Sequence, residues 1–177
     1  RDDQGNVVPR DGKTPGEICA RSNVVFAGYW EQPEETAEAI RDGWFHTGDL
    51  AVWDEVGSIH IVDRKKDVII SGGVNVYPAQ VEAALLEHSG VADCCVVGVP
   101  DPEWGETLRA VVQREPGSSL GAEERRVHCK ALLAGYQVPR EIDFVDRLPR
   151  TETGKLARRV IRDGYRGEAS APGRLLS

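Results

Sequence analysis

The residues of this 177-residue sequence that could do chemistry fall in three short stretches. In LPRTETGKLARR, residues 148–159, an ammonium (Lys155) follows a glycine (Gly154). The TGK triplet invites a phosphate-loop reading, but Pro149 stands where that loop needs its upstream glycine. Leu156 replaces the Ser or Thr that should follow the lysine, so the reading fails. In GWFHTGDL, residues 43–50, Asp49 follows a glycine at which the chain can turn tightly. Its two acceptor oxygens suit a vicinal diol such as a ribose 2′,3′ pair, and they equally suit a turn aspartate that satisfies its own backbone. The third stretch, IVDRKKDVIISGGVN at 61–75, sets a charge block between two apolar runs and ends in Ser71-Gly72-Gly73. Three cations between two strands commonly make a solvated turn. The paired glycines make a simple turn or a place of close backbone approach.

The rest of the chain predicts the elements that must position these stretches. Turn signals at Asp11-Gly12 and Pro15-Gly16 separate Val7-Val8 from a strand over 17–21, which is hairpin patterning. Pro33 suits the first position of a helix, and Glu34 and Glu35 suit its positive end; the helix is expected to run to about Arg41, with Asp42-Gly43 ending it. Strands are expected over 50–53 and 58–63, and Trp44 and Phe45 are assigned to the core. Beyond the charge block, a helix over 78–88 carries Val81, Ala84, Leu85 and His88 on one face, with His88 as a helix-end residue rather than a ligand. A buried strand (91–99), the loop PDPEWGE (100–106), a strand (107–114) and a helix (122–134, with Val127, Ala131 and Ala134 on its stripe) follow. A strand over 141–145 and a short helix over 156–162 complete the pattern, and residues 164–177 read as a frayed tail.

A net charge of −7 argues against nucleic acid as the main partner, since phosphate-backbone binding needs a basic surface. No apolar run reaches bilayer length, and the first residues hold no signal-peptide core. Cys19, Cys94, Cys95 and Cys129 form no CxxC pair. They read as reduced core thiols of a cytoplasmic protein, with Cys94 and Cys95 on opposite faces of a strand and no metal site. The sequence begins at Arg1 and holds no methionine, so a fragment or a processed product is expected.

In this order, GWFHTGDL, VDRKKDVIISGGVNVYPAQVE and LPRTETGK resemble the closing third of the adenylate-forming (AMP-binding) superfamily, which includes acyl-CoA synthetases, peptide-synthetase adenylation domains and luciferases. The acyl-CoA synthetase branch is the most similar, and the resemblance covers residues 1–163. It implies an α+β fold: residues 1–63 as the strand-rich end of a large N-terminal domain, a hinge at 64–66, a small mobile domain of order ββαββαβα over 67–165, and a flexible tail over 166–177.

The resemblance also implies roles. Lys155 bridges the substrate carboxylate and the α-phosphate during adenylation, Asp49 holds the ribose, and Arg64 contacts the nucleotide. Lys66 is the hinge, while Lys65 is left at the surface. Gly72 and Gly73 line the pantetheine channel, with Trp104 facing CoA. The substrates are then ATP with Mg2+, CoA and a fatty or aryl carboxylic acid, and the partner is the N-terminal domain of the same chain. The 177 residues alone are expected to be inert. A carrier-loading adenylation domain or luciferase-type enzyme, and a noncatalytic binding module, are the alternatives.

Overall fold

In the computed structural model, which describes residues 1–118 and 121–166, the chain divides into two compact units, Arg1–Lys66 and Asp67–Ser177. The first is built on one antiparallel sheet. Its strands are β1 (Gly16–Ala20), β2 (Ile40–Arg41), β3 (Trp44–Trp53) and β4 (Ile59–Arg64), and β3 pairs with each of the other three. Helix α1 (Pro33–Ala39) starts at Pro33 and stops two residues short of the expected end. Ile40 and Arg41 instead pair with Phe45 and Trp44, and Asp42 and Gly43, at φ 52° and 74°, form the hairpin turn between them. GWFHTGDL is therefore mostly strand, and β3 starts at Trp44, well before the strand expected over 50–53. Trp44 and Phe45 are half-buried, not core: Trp44 lies under the guanidinium groups of Arg1 and Arg21, and Phe45 meets the edge of Phe26.

Among the described residues of this unit, Ala51 is the one buried apolar side chain, whereas Val24, Trp30, Val56, Ile59 and Ile61 are exposed. Isolated apolar residues at a surface need no explanation, but an edge strand that shows Ile59 and Ile61 together is a face suited to burial.

The second unit holds a five-stranded sheet between two cores. Strands β5 (Ile69–Ser71) and β6 (Val74–Val76) form a hairpin. Strands β7 (Val91–Asp101) and β8 (Gly105–Arg114) form a second, longer one, and β9 (Glu141–Val145) pairs in parallel with β8. With α2 (Pro78–Leu86), α3 (Ala122–Leu132) and α4 (Arg158–Arg166), the order is ββαββαβα, an α+β unit as expected.

Because side chains alternate along a strand, β7 feeds both cores. Cys94 and Val96 pack with Val81, Leu85 and Cys129 on one face; Cys95, Val97 and Val99 pack with Leu148 and Ile161 on the other.

Three expectations change here. Strands β7 and β8 extend into the expected PDPEWGE loop, shortening it to residues 102–104. Helix α3 turns a different face inward: Val127, Ala131 and Ala134 are exposed, while Cys129 is fully buried and His128 bonds the Ala84 carbonyl at 3.0 Å. Helix α4 begins at Arg158 rather than Leu156, because Leu156 pairs as an extended bridge with Arg150 and the Ala157 N–H donates to the Pro149 carbonyl. Most of the expected tail, residues 167–177, lies outside the described residues.

Candidate active site

In the first unit, the positions of Asp49 and Arg64 follow from a bulge in β3. Between the pairs Glu17–Leu50 and Cys19–His46, β1 advances two residues and β3 four, so the chain from Thr47 to Asp49 leaves the ladder. Gly48 accommodates this at φ 76°. Thr47 Oγ1 donates to the Ile18 carbonyl at 2.9 Å and accepts the Asp49 N–H at 3.1 Å. Pairing of β3 with β4 then sets Asp49 opposite Arg64, and Arg64 Nε lies 3.2 Å from Asp49 Oδ1. Both side chains reach solvent, so the pair adds at most about 1 kcal/mol of stability. Chemically, it offers a carboxylate for a diol and a guanidinium for a phosphate side by side.

The bulge is held by a residue that the sequence did not single out. Glu17 is 7% exposed. Its Oε1 accepts the Gly48 N–H at 3.1 Å, and its Oε2 lies 3.0 Å from His46 Nδ1 and 3.3 Å from Lys65 Nζ. Burial alone would raise its pKa, but the bonds to His46 and Lys65 outweigh burial and lower it.

Lys65 is thus not merely a surface residue: it also bonds Asp3 at 2.7 Å and ties the charge block to the sheet. Cys19 is half-buried rather than core, with its Sγ 3.5 Å from His46 Nδ1. Glu17, Cys19 and His46 offer ligand atoms within 4.8 Å of one another. The Lys65 ammonium already occupies the carboxylate oxygen that a metal would need.

Replacing Glu17 by alanine strands the Gly48 N–H and is expected to cost about 1–3 kcal/mol at neutral pH. Because the folded-state pKa of Glu17 lies below its unfolded value, its contribution is present above that unfolded value and is lost as pH falls through the folded one. Chemical denaturation of wild type and Glu17→Ala at pH 7 and pH 3 should show the gap closing in acid; an equal gap at both would reject the carboxylate as its source.

In the second unit, Gly72 and Gly73, at φ 58° and 79°, form the two-residue turn of the β5–β6 hairpin. The Gly72 N–H donates to the Trp104 carbonyl at 2.9 Å, and a Cβ at position 72 would lie 2.6 Å from Trp104 Cε3. Trp104 is itself held by the N–H it donates to Asp101 Oδ1 at 2.9 Å, and Arg140 lies over its ring, 4.9 Å from the centroid. The two glycines and the tryptophan therefore form one surface, half open to solvent.

Lys155 sits elsewhere in the same unit, exposed at the end of a fastened turn. The Thr151 N–H donates to the Lys155 carbonyl and the Gly154 N–H to the Thr151 carbonyl, each at 2.8 Å. Arg150 donates to the Gly154 carbonyl at 2.8 Å and pairs with Asp93 of β7, while Leu156 packs into the core that contains Cys95. The backbone of the turn is fixed, and the four-carbon stem of the lysine is left to reach outward. Lys66, predicted as the hinge, lies in a single 3-10 turn, Lys65–Asp67, where the two units meet in sequence.

Residues 80–155 match the family described as AMP-binding enzyme C-terminal domain. A feruloyl-CoA synthase from Amycolatopsis sp. is 49% identical over 158 residues, which cover 89% of this chain and 32% of that protein. A long-chain-fatty-acid–CoA ligase from Escherichia coli O6:H1 is 45% identical over 168 residues, covering 94% of this chain and 29% of that one. Among solved structures, ATP-bound MatB from Rhodopseudomonas palustris matches with a TM-score of 0.85 at 38% identity, over 93% of this chain and 32% of its own. The chain thus spans about a third of the length of these relatives. No helix among the described residues is long and apolar enough to cross a membrane. With the three motif blocks, the ββαββαβα unit and these matches together, residues 80–155 carry the AMP-binding enzyme C-terminal domain, and nearly the whole chain is similar to CoA ligases of the adenylate-forming superfamily.

Proposed function

We propose that this chain is the C-terminal part of an ATP-dependent, AMP-forming acyl-CoA synthetase that works in the cytoplasm on a fatty or aryl carboxylic acid. In the first step a carboxylate oxygen attacks the α-phosphorus of Mg-ATP and pyrophosphate leaves. In the second the CoA sulfur attacks the acyl carbon, AMP leaves and the thiol proton is lost. The observation that carries this reading is the Asp49–Arg64 pair, with its carboxylate and guanidinium 3.2 Å apart directly before the turn that joins the two units. Asp49 holds the ribose hydroxyls, and Arg64 faces the nucleotide.

Lys155 supplies positive charge beside the carboxylate and the α-phosphate, where negative charge gathers during the first step, and Lys66 is the pivot between steps. The Gly72–Gly73 turn with Trp104 borders the path of the pantetheine arm. The exposed Ile59, Ile61, Trp30 and Val24 favour a first unit that continues a larger domain over an independent module. The feruloyl and long-chain fatty acyl relatives favour CoA as acceptor over a carrier protein.

The test is Asp49→Ala in the full-length ligase. Loss of a charged acceptor for the ribose is expected to raise the KM for ATP about 10- to 100-fold, with the KM for the acid unchanged. Steady-state kinetics with each substrate varied will show this. An unaltered KM for ATP removes Asp49 from the nucleotide site.

A further inference from the structure

Asp67 is the first residue of the second unit and directly follows Lys66. Its carboxylate lies between two arginines of α4, with Oδ2 3.8 Å from Arg158 Nε and Oδ1 3.8 Å from Arg162 Nη1. Arg158 makes a two-pronged pair with Glu82 of α2: Nη1 donates to Oε1 at 2.6 Å and Nη2 to Oε2 at 3.0 Å. Arg158 Nη1 also donates to the Val96 carbonyl of β7 at 2.6 Å, and Glu82 Oε1 accepts the Val96 N–H at 2.7 Å. One guanidinium therefore joins the residue after the pivot, a helix and a central strand. The Asp67, Glu82 and Arg158 side chains are at most 20% exposed, so salt screens the network weakly.

Arg158 also opens the helix that starts three positions after Lys155. The lysine turn is thus fastened at one end by α4 and at the other by the Arg150–Asp93 pair. The Gly72–Gly73 turn stands differently: it follows Asp67 closely along the chain, on the β5–β6 hairpin, and needs no such relay.

We infer that Asp67, Arg158 and Glu82 are positioning residues that make the Lys155 turn follow the pivot as one rigid body. The inference rests on the roles proposed above for Lys155 and Lys66. Rotation at position 66 reaches Asp67 directly, but it reaches Lys155, far along the sequence, only through contacts that do not yield. A forked arginine–carboxylate pair fixes direction as well as distance, which apolar packing does not. Breaking such a buried pair leaves a charge without its partner, so the geometry has little room to drift. None of the three needs to touch a substrate for this.

In the full-length ligase, Asp67→Asn and Arg158→Lys are assayed separately for adenylate formation, by pyrophosphate exchange, and for thioester formation from supplied acyl adenylate. Misplacing a reacting group by about 1 Å can cost on the order of 100-fold. We expect the kcat of adenylate formation to fall about 10- to 100-fold, with the KM values for ATP and acid unchanged. Thioester formation should hold within about twofold, and Asp67→Glu should restore part of the adenylation rate. If Asp67→Asn does not fold, Asp67→Glu is read by the same two assays against wild type.

Equal loss in both half-reactions, or no loss in adenylation, overturns the inference. Lys155→Ala is run alongside. If it leaves adenylation intact, the functional reading itself falls and takes this one with it; if it abolishes adenylation while Asp67→Asn and Arg158→Lys do not, only the positioning role is rejected.

Discussion

Lys155→Ala in the full-length ligase is expected to lower the rate of adenylate formation by about 100- to 1,000-fold, the range found when one preorganised group is removed from a developing charge. Thioester formation from supplied acyl adenylate should stay within a few-fold of wild type. The selectivity follows from where the charge develops. While the carboxylate attacks phosphorus, negative charge grows on the phosphoryl oxygens, and an ammonium held beside them stabilises that state more than the bound substrates. In the second step the attacked centre is the acyl carbon, for which the proposal gives Lys155 no part. The fixed backbone of the turn makes the variant a clean one, since the side chain reaches outward and Thr151 bonds the backbone of Lys155. Single-turnover rates of each half-reaction decide the matter: equal losses would contradict the assigned role.

The opposite selectivity is expected of Gly72→Ala. A methyl group there would lie 2.6 and 2.9 Å from Trp104 Cε3 and Cζ3, and the backbone stands at φ 58°, where a side chain adds strain of about 1–2 kcal/mol. Trp104 is 38% exposed, so its ring can swing away and the unit should still fold. The displaced indole then changes the surface proposed above to border the pantetheine arm. Thioester formation is expected to fall on the order of 10- to 100-fold, by misplacement of the thiol, with adenylate formation unchanged. Gly73→Ala separates clash from strain, because a Cβ at 73 meets nothing within 4 Å although φ is 79°. If Gly73→Ala slows the second step as much as Gly72→Ala, Trp104 is not the mediator.

The β5–β6 hairpin was legible in the sequence because it is local: a turn between two strands was one of the two readings open to Gly72-Gly73, and both glycines take the positive φ values that such a turn favours. The ββαββαβα order was legible for a similar reason, since each element has its own period and its own stop signal.

The neighbours of the site were not, because they depend on register. Nothing near Glu17 marks it, and its partners at 46, 48 and 65 arrive only when β1 pairs with the bulged β3. The same holds for the Asp49–Arg64 pair, which exists because β3 and β4 align those two positions. On α3, counting apolar letters favoured Val127, yet Cys129 and His128 face inward: a small thiol fills the core, and a histidine satisfies a carbonyl that a valine could not.

The adjacent cysteines of β7 offer a clock for each side of the sheet. Burial pushes both thiols up, Cys95 to about 12, so neither is an effective nucleophile while its surroundings are closed. Alkylation must wait for water to enter. Cys94 waits on the layer formed with α2 and Cys129, and Cys95 on the layer formed with Leu148 and Ile161 of α4. Two neighbouring atoms in sequence thus time two separate openings. A labelling course resolved to the single cysteine by peptide fragmentation, on the unaltered protein, would show whether the layer that anchors the lysine turn breathes independently of the one behind it.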